Sequence, residues 1–196
     1  IEEAGYQGES YYHYGPESEV EYNIGDRGPA GGWIFYDKGY YSDGWRYLEI
    51  ASASLGNKCY GAYRATENSA RLSTGSSYPI GSGRLNTEML VLTMGNNAYT
   101  STNSGVETTS NYAAKACLDY SVNGYDDWFL PSRDELSMIY KNLYAQGIGS
   151  FSAYAYWASS EAGSGYGCYH RFSDNTQFVS GPREGTSYAV YPVRAF

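Results

Sequence analysis

The chain has 196 residues, enough for one domain with a short flank, and carries a formal net charge of −8 with a pI of about 4.7. That acidic balance argues against nucleic acid and acidic membrane surfaces as partners, and no apolar run approaches the ~20 residues of a membrane-spanning helix. Leu, Ile, Val and Phe are scarce enough to raise the question of disorder, but 24 tyrosines and 4 tryptophans supply large rings to bury.

Tyrosine with abundant Gly and Ser is also the composition of recognition surfaces, so each tyrosine has two readings, core ring or contact ring. In chain order, residues 1–22 are rich in Glu, Tyr and Gly without periodicity and read as a loosely held flank. No signal-peptide pattern starts at Ile1, which reads as a trimmed end. "GDRGPAGG" imitates two collagen triplets, too few for a triple helix, and reads as a turn. "WIFYD" (Trp33–Asp37) and "WRYLEIA" (Trp45–Ala51) follow, separated by "KGYYSDG", and predict a hairpin.

From Ser52 to Gly83 the sequence is polar and turn-rich and predicts long loops. "LNTEMLVLTMG" predicts a short helix facing the core through Leu85, Met89 and Leu92 and ending at Gly95; "NNAYTSTNSGVETTSN" reads as a further loop. In "NYAAKACLDY" the spacing of Ala113, Cys117 and Tyr120 makes Cys117 a small core residue on a helix face. The strongest helix lies in "LPSRDELSMIYKNLYAQG". There Ser132 and Glu135 form a capping box, Leu136, Ile139, Tyr140 and Leu143 form the buried stripe, and Gly147 ends it. From Ala153 onward three or four short strands are expected. Two or three helices, short strands and long loops make an α+β domain. Ile34, Leu48, Trp128, Leu136, Ile139, Trp157 and Val193 are expected to share one core.

Catalytic chemistry is sparse. His13 and His170 are the only histidines; one lies in the flank and the other in an irregular segment. There is no G-x-S-x-G elbow, no P-loop and no Cys/His cluster with zinc spacing, and "GSGRLN" at Gly81 lacks the third glycine of a dinucleotide fingerprint. Asp126 and Asp127 are adjacent and would face opposite ways in a strand. They read as the end of the turn at Gly124, with a single calcium contact as the alternative. Cys59, Cys117 and Cys168 share no C-x-x-C spacing, and their odd number leaves at least one thiol free; a Cys59–Cys117 bridge is one pairing open to them. No cofactor, catalytic residue or metal site is expected.

"GDRGPAGGWIFYDKGYYSDGWRYLEIAS", "NGYDDWFLPSRDEL", "YWASSE" and "YPVRAF" resemble, in that order, the variable proteins of diversity-generating retroelements, most closely the treponemal kind. The resemblance covers residues 23–196 and rests on the four motifs together. It implies a C-type lectin-like fold of the formylglycine-generating-enzyme type, in which a hypervariable C-terminal segment, here about 162–191, forms a ligand-binding surface on a constant scaffold. In that family the segment is diversified by mutating adenines. Randomising the adenines of an AAY codon never yields Lys, Glu, Gln, Met or Trp, and between Ala162 and Tyr191 only Gln177 and Glu184 fall outside the permitted set.

The ligand contacts expected on this basis are the rings Tyr166, Tyr169, His170, Phe172, Phe178 and Tyr188, with Ser164, Asp174, Asn175 and Thr176 as hydrogen-bonding groups. Ala162, Gly163, Cys168, Ser180, Ser187 and Tyr191 complete the surface. Phe172 has a competing reading, since alternation in "YHRFSD" could turn it inward. The family pattern has arginine before the proline where this chain has Tyr191: either Tyr191 is diversified or the last strand packs differently.

The expected function is non-enzymatic binding of a macromolecular target, an unknown protein or cell-surface component, by a monomer. The protein is expected to be secreted or on the cell surface, anchored by lipid through a removed N-terminus. The alternatives are a constant adhesive or structural surface domain, or an enzyme of the formylglycine-generating type, whose paired active-site cysteines find no matching motif here. The calcium-dependent sugar motifs "EPN", "QPD" and "WND" of animal C-type lectins are also absent.

Overall fold

The computed structural model describes residues 20–62, 78–102, 105–151, 155–162, 165–182 and 187–196; of 101–102, 105–106 and 178–180 it describes the backbone alone. His13, most of the flank, much of the Ser52–Gly83 stretch, and Gly163 and Ser164 lie outside the described residues, as do the side chains of Phe178 and Ser180.

The described elements form a mixed α+β fold. Strand β1 (Trp33–Ser42) pairs antiparallel with β2 (Trp45–Ile50), as the sequence predicts, and β1 runs on through "KGYYS" to a turn at Asp43 and Gly44. Both turn residues have positive φ, 52° and 82°, the requirement of a tight two-residue hairpin that Asp-Gly meets. The C-terminal strand β10 (Val193–Ala195) adds to β2 and completes a three-stranded sheet.

A five-stranded sheet has the order β3 (Asn57–Cys59), β9 (Ser187–Ala189), β6 (Ala155–Glu161), β7 (Tyr166–Arg171), β8 (Thr176–Pro182). The hairpin β4 (Ala98–Thr102)–β5 (Gly105–Thr109) stands apart, in a stretch expected to be loop. Its Thr-rich alternation suits strands, but the polar composition masks the pattern. Among the described residues from Ala155 onward there are five strands rather than three or four.

Helix α3 (Arg133–Asn142) has the capping box expected from Ser132 and Glu135. The Glu135 carboxylate also reaches outward, accepting backbone N–H bonds from Gly81 (2.8 Å) and Gly83 (3.3 Å) besides Ser132 (2.7 Å). It thereby ties the start of helix α1 (Gly83–Met94) to α3, and Gly83 has no room for a Cβ, which would lie 2.3 Å from Glu135 Oε2. Burial raises the Glu135 pKa to about 7, against the pull of these donors.

Helix α1 forms where expected but turns the other way. Leu85 is 61% exposed and Leu92 78%, while Thr87, Leu90 and Met94 are buried. Thr87 faces inward because its hydroxyl donates to Gly83 O and its Oγ1 accepts from Leu130 N (3.0 Å), so a polar residue is satisfied in the core. Helix α2 (Ala113–Leu118) buries Cys117 as expected; Tyr120 lies beyond its end, against Trp128. Cys59, Cys117 and Cys168 are all buried, and none is in a disulfide, so the Cys59–Cys117 bridge is not formed.

The seven expected core residues are all buried, but not in one cluster. The main core, with Leu48, Leu136, Ile139 and Val193, fills the space between the three-stranded sheet, α3 and one face of the five-stranded sheet. Trp157 belongs to a second core on that sheet's other face, under α1 and α2, and Trp128 to a third beside Ala30 and Ala51. Strand β6, buried along its whole length, divides the first two.

Candidate functional site

The irregular-looking segment of residues 165–182 contains two strands, β7 and β8, and the side chains of β7 alternate between two faces of the sheet. On β7, Cys168 packs in the main core and His170 stacks against Tyr140 of α3 at 5.0 Å. Phe172, just beyond the strand, packs in the same core against Tyr156 at 4.5 Å. Cys168, His170 and Phe172 are 3%, 2% and 1% exposed, which corrects their assignment as ligand contacts. The core reading of Phe172 is the right one.

Tyr191 is corrected likewise. It is 6% exposed, packs against Phe151 and Tyr156, and donates its hydroxyl to Ser150 O at 3.0 Å. Ala162 is half-buried against the main core and its N–H closes the β6–β7 turn onto Tyr166 O.

On the opposite face Tyr169 of β7 and Tyr188 of β9 lean over Trp157 of the intervening β6. Ring centroids are 4.6 Å apart for Tyr169–Tyr188, 4.6 Å for Trp157–Tyr188 and 6.1 Å for Trp157–Tyr169. Beneath them Tyr60 meets Trp157 edge-on at 5.3 Å, and the Trp157 indole N–H donates to Lys58 O at 2.8 Å. Trp157 and Tyr60 are fully buried, while Tyr169 and Tyr188 keep an open side.

Two glycines seat these rings. Gly167 and Gly181 are direct cross-strand partners; a Cβ on Gly167 would lie 2.3 Å from the Tyr60 ring, and one on Gly181 2.5 Å from Trp157. The jumps from glycine to large rings thus have a packing cause: bare backbone makes room for rings from neighbouring strands.

The rim is polar. Arg171 is exposed on the Tyr169 face and pairs with Asp174 (Nη2–Oδ2 2.7 Å, Nε–Oδ1 3.0 Å). Asp174 Oδ1 also accepts from Thr176 N (3.1 Å), and these contacts, chiefly the bond from Arg171, lower its pKa to about 2. Asn175 takes φ 53° at the turn, and its Oδ1 lies 3.1 Å from His170 Nε2. Asp174, Asn175 and Thr176 are thus engaged in building the β7–β8 turn, although the first two remain exposed. Burial lowers the pKa of His170, whose Nδ1 has no hydrogen-bond partner.

Lys58 lies directly across from Tyr188, and exposed Ser187 pairs with Cys59. Tyr166 is 40% exposed, but strand alternation puts it on the Cys168 side, away from Tyr169. The structure therefore brings together Tyr169, Thr176 and Tyr188 with Arg171 and Lys58, and separates Tyr166 from them; exposed Ser187, next to Tyr188 on β9, turns to the other face by the same alternation. Lys58 and Arg171 escape the sequence reading, although Arg171 is in phase with Tyr169 in "YHR". Lys58 carries no local signal, because only the distant β3–β9 pairing brings it here.

Among the described residues no group of three or more His, Cys, Asp and Glu is placed to hold a metal ion, and no helix is long and apolar enough to cross a membrane. Asp127 forms a two-pronged ion pair with Arg194 (2.7 and 3.1 Å), and Asp126 is exposed. No known family model matches the chain, and no curated protein does.

Proposed function

We propose that this protein is a non-enzymatic recognition domain that binds a macromolecular target through the Tyr169–Tyr188 face of its five-stranded sheet. The observation that carries this reading is the pair of partly buried rings packed over buried Trp157, with adaptable polar groups at their edge. Rings already fixed by packing lose little conformational freedom on binding, so more of their contact energy appears as affinity. The motif resemblance adds that this face belongs to a C-type lectin-like variable protein of a diversity-generating retroelement, working as a monomer at the cell surface or secreted, where a protein or cell-surface target would meet it.

The burial pattern refines which positions such a system would vary. Residues 171, 174 and 176 lie outside the cores and Tyr169 and Tyr188 sit at the open edge of the second one, whereas Cys168, His170, Phe172 and Tyr191 are interior. Sequencing the gene and its neighbourhood across many isolates tests this directly. The expected result is an adjacent reverse transcriptase with a near-identical template repeat, and substitutions gathered at the first set. An unchanging sequence would favour a constant adhesive domain and overturn the proposal. A displayed library varying the first set, selected on a purified protein such as lysozyme, should yield folded binders; selection of none would count against the surface.

A further inference from the structure

The three-stranded sheet carries a second feature, remote in kind from the recognition face. On the side of that sheet turned away from the main core, Tyr22, Tyr41, Tyr47, Phe196, Pro29 and Arg46 enclose much of a cavity of about 300 Å³. That volume lies at the lower end of the range for small-molecule sites.

The wall geometry is specific. Tyr22 stands at 79° to Tyr47 and 88° to Phe196, with centroids 5.4 and 5.6 Å away, while Tyr47 and Phe196 are tilted by only 34°. The three rings thus pack on one another, with Arg46 over the Tyr47 ring at 4.7 Å and Arg194 over the Phe196 ring at 5.0 Å, and they give the cavity a lining of mostly aromatic carbon. Backbone bonds hold Phe196 in place: its carbonyl accepts from Arg46 N (2.7 Å) and Tyr47 N (2.9 Å), and its N–H donates to Tyr47 O. Tyr47 is almost fully buried, and its hydroxyl accepts from Tyr22 N.

Charge narrows the ligand further. Among the described residues of the wall Arg46 is the one charged side chain, and Asp37 (2.9 and 3.2 Å) and Glu21 (3.5 Å) already face it. An anionic ligand would have to compete with these carboxylates. A sugar would lose water at its hydroxyls against walls that are mostly carbon. A flat aromatic ring, by contrast, gives up little water and packs well against an aromatic lining. We infer that this cavity is a binding site for a small, uncharged, planar aromatic molecule.

The test uses the full chain and the neutral fluorophore N-phenyl-1-naphthylamine, with its anionic relative 8-anilino-1-naphthalenesulfonate as comparison. The expected result is saturable one-to-one binding of the neutral dye, with amide NMR shifts centred on Tyr22, Tyr47 and Phe196. Tyr41→Ala should weaken it about tenfold or more. Tyr41 is 56% exposed, so that variant should keep its fold, and an unchanged thermal melt checks this. Tyr166→Ala and Leu92→Ala, on other surfaces, should bind as the parent does. No saturable binding, equal binding by Tyr41→Ala, shifts centred on α1, or tighter binding of the sulfonate would each overturn the inference.

Discussion

Tyr169 and Tyr188 meet with ring centroids 4.6 Å apart although their strands are not neighbours; both lean over Trp157, which lies on the strand between them. The contact makes one continuous aromatic surface from residues far apart in sequence, and it fixes the order in which substitutions should matter.

For a ligand selected on the parent domain, Tyr169→Ala and Tyr188→Ala should each weaken binding roughly thirtyfold, as for a ring at the centre of an interface. Tyr166→Ala should change affinity little, because Tyr166 lies on the Cys168 side of β7. Isothermal titration of the three variants checks this. A larger loss at Tyr166 than at Tyr169 would place the site on the other face.

Gly181 tests the seating of the rings. A Cβ there would press on the Trp157 ring at 2.5 Å and the Tyr188 ring at 3.0 Å, so Gly181→Ala should destabilise by ~1–3 kcal/mol through overpacking. Urea denaturation measures the change, which should fall on the midpoint with little change of slope.

Leu136 is 2% exposed in the main core, so Leu136→Ala should cost ~2–5 kcal/mol. A change below ~0.5 kcal/mol in chemical denaturation, typical of a surface site, would contradict the packing of α3.

Arg194 joins three parts of the chain. It faces buried Glu49 at 3.3 Å, pairs with Asp127 and lies over Tyr125, while Glu49 also accepts from Gly32 N at 2.6 Å. Arg194→Ala would strand Glu49 without its cation and should cost ~3–5 kcal/mol. Adding Glu49→Gln should recover part of that loss, a coupling that a double-mutant cycle reads.

The pH dependence follows from Glu135. Its folded-state pKa, about 7, lies above its ordinary 4.5, so its contribution is fully present below pH 4.5 and lost as pH rises through 7. His170 works the other way: burial lowers its pKa below 6.5, and its contribution falls as pH drops through that lowered value. Because the two oppose, the comparison is between parent and Glu135→Gln. Thermal melts from pH 4.5 to 8 should show the parent losing stability relative to the variant as pH rises. Parallel curves would mean that Glu135 does not titrate in this range.

Local chemistry in the sequence determined several elements before any packing. Asp43-Gly44 suffices for the β1–β2 turn because its positive φ values are a property of those two residues. Ser132 and Glu135 suffice for the start of α3 because the capping box closes within four residues. The orientation of α1 was not legible. Leu85, Met89 and Leu92 mark an apolar face by spacing, whereas the face that packs is Thr87, Leu90 and Met94, with Thr87 bonded to Leu130 of a distant segment and the other two in the second core. The recognition face is the same case. Alternation in β7 separates Tyr169 from Cys168 and His170, but both faces of the sheet are covered, so hydrophobicity cannot tell which residues stay open. That is decided by what distant segments lay over each face: α3 closes over His170, while Tyr188 and Trp157 shelter only one side of Tyr169.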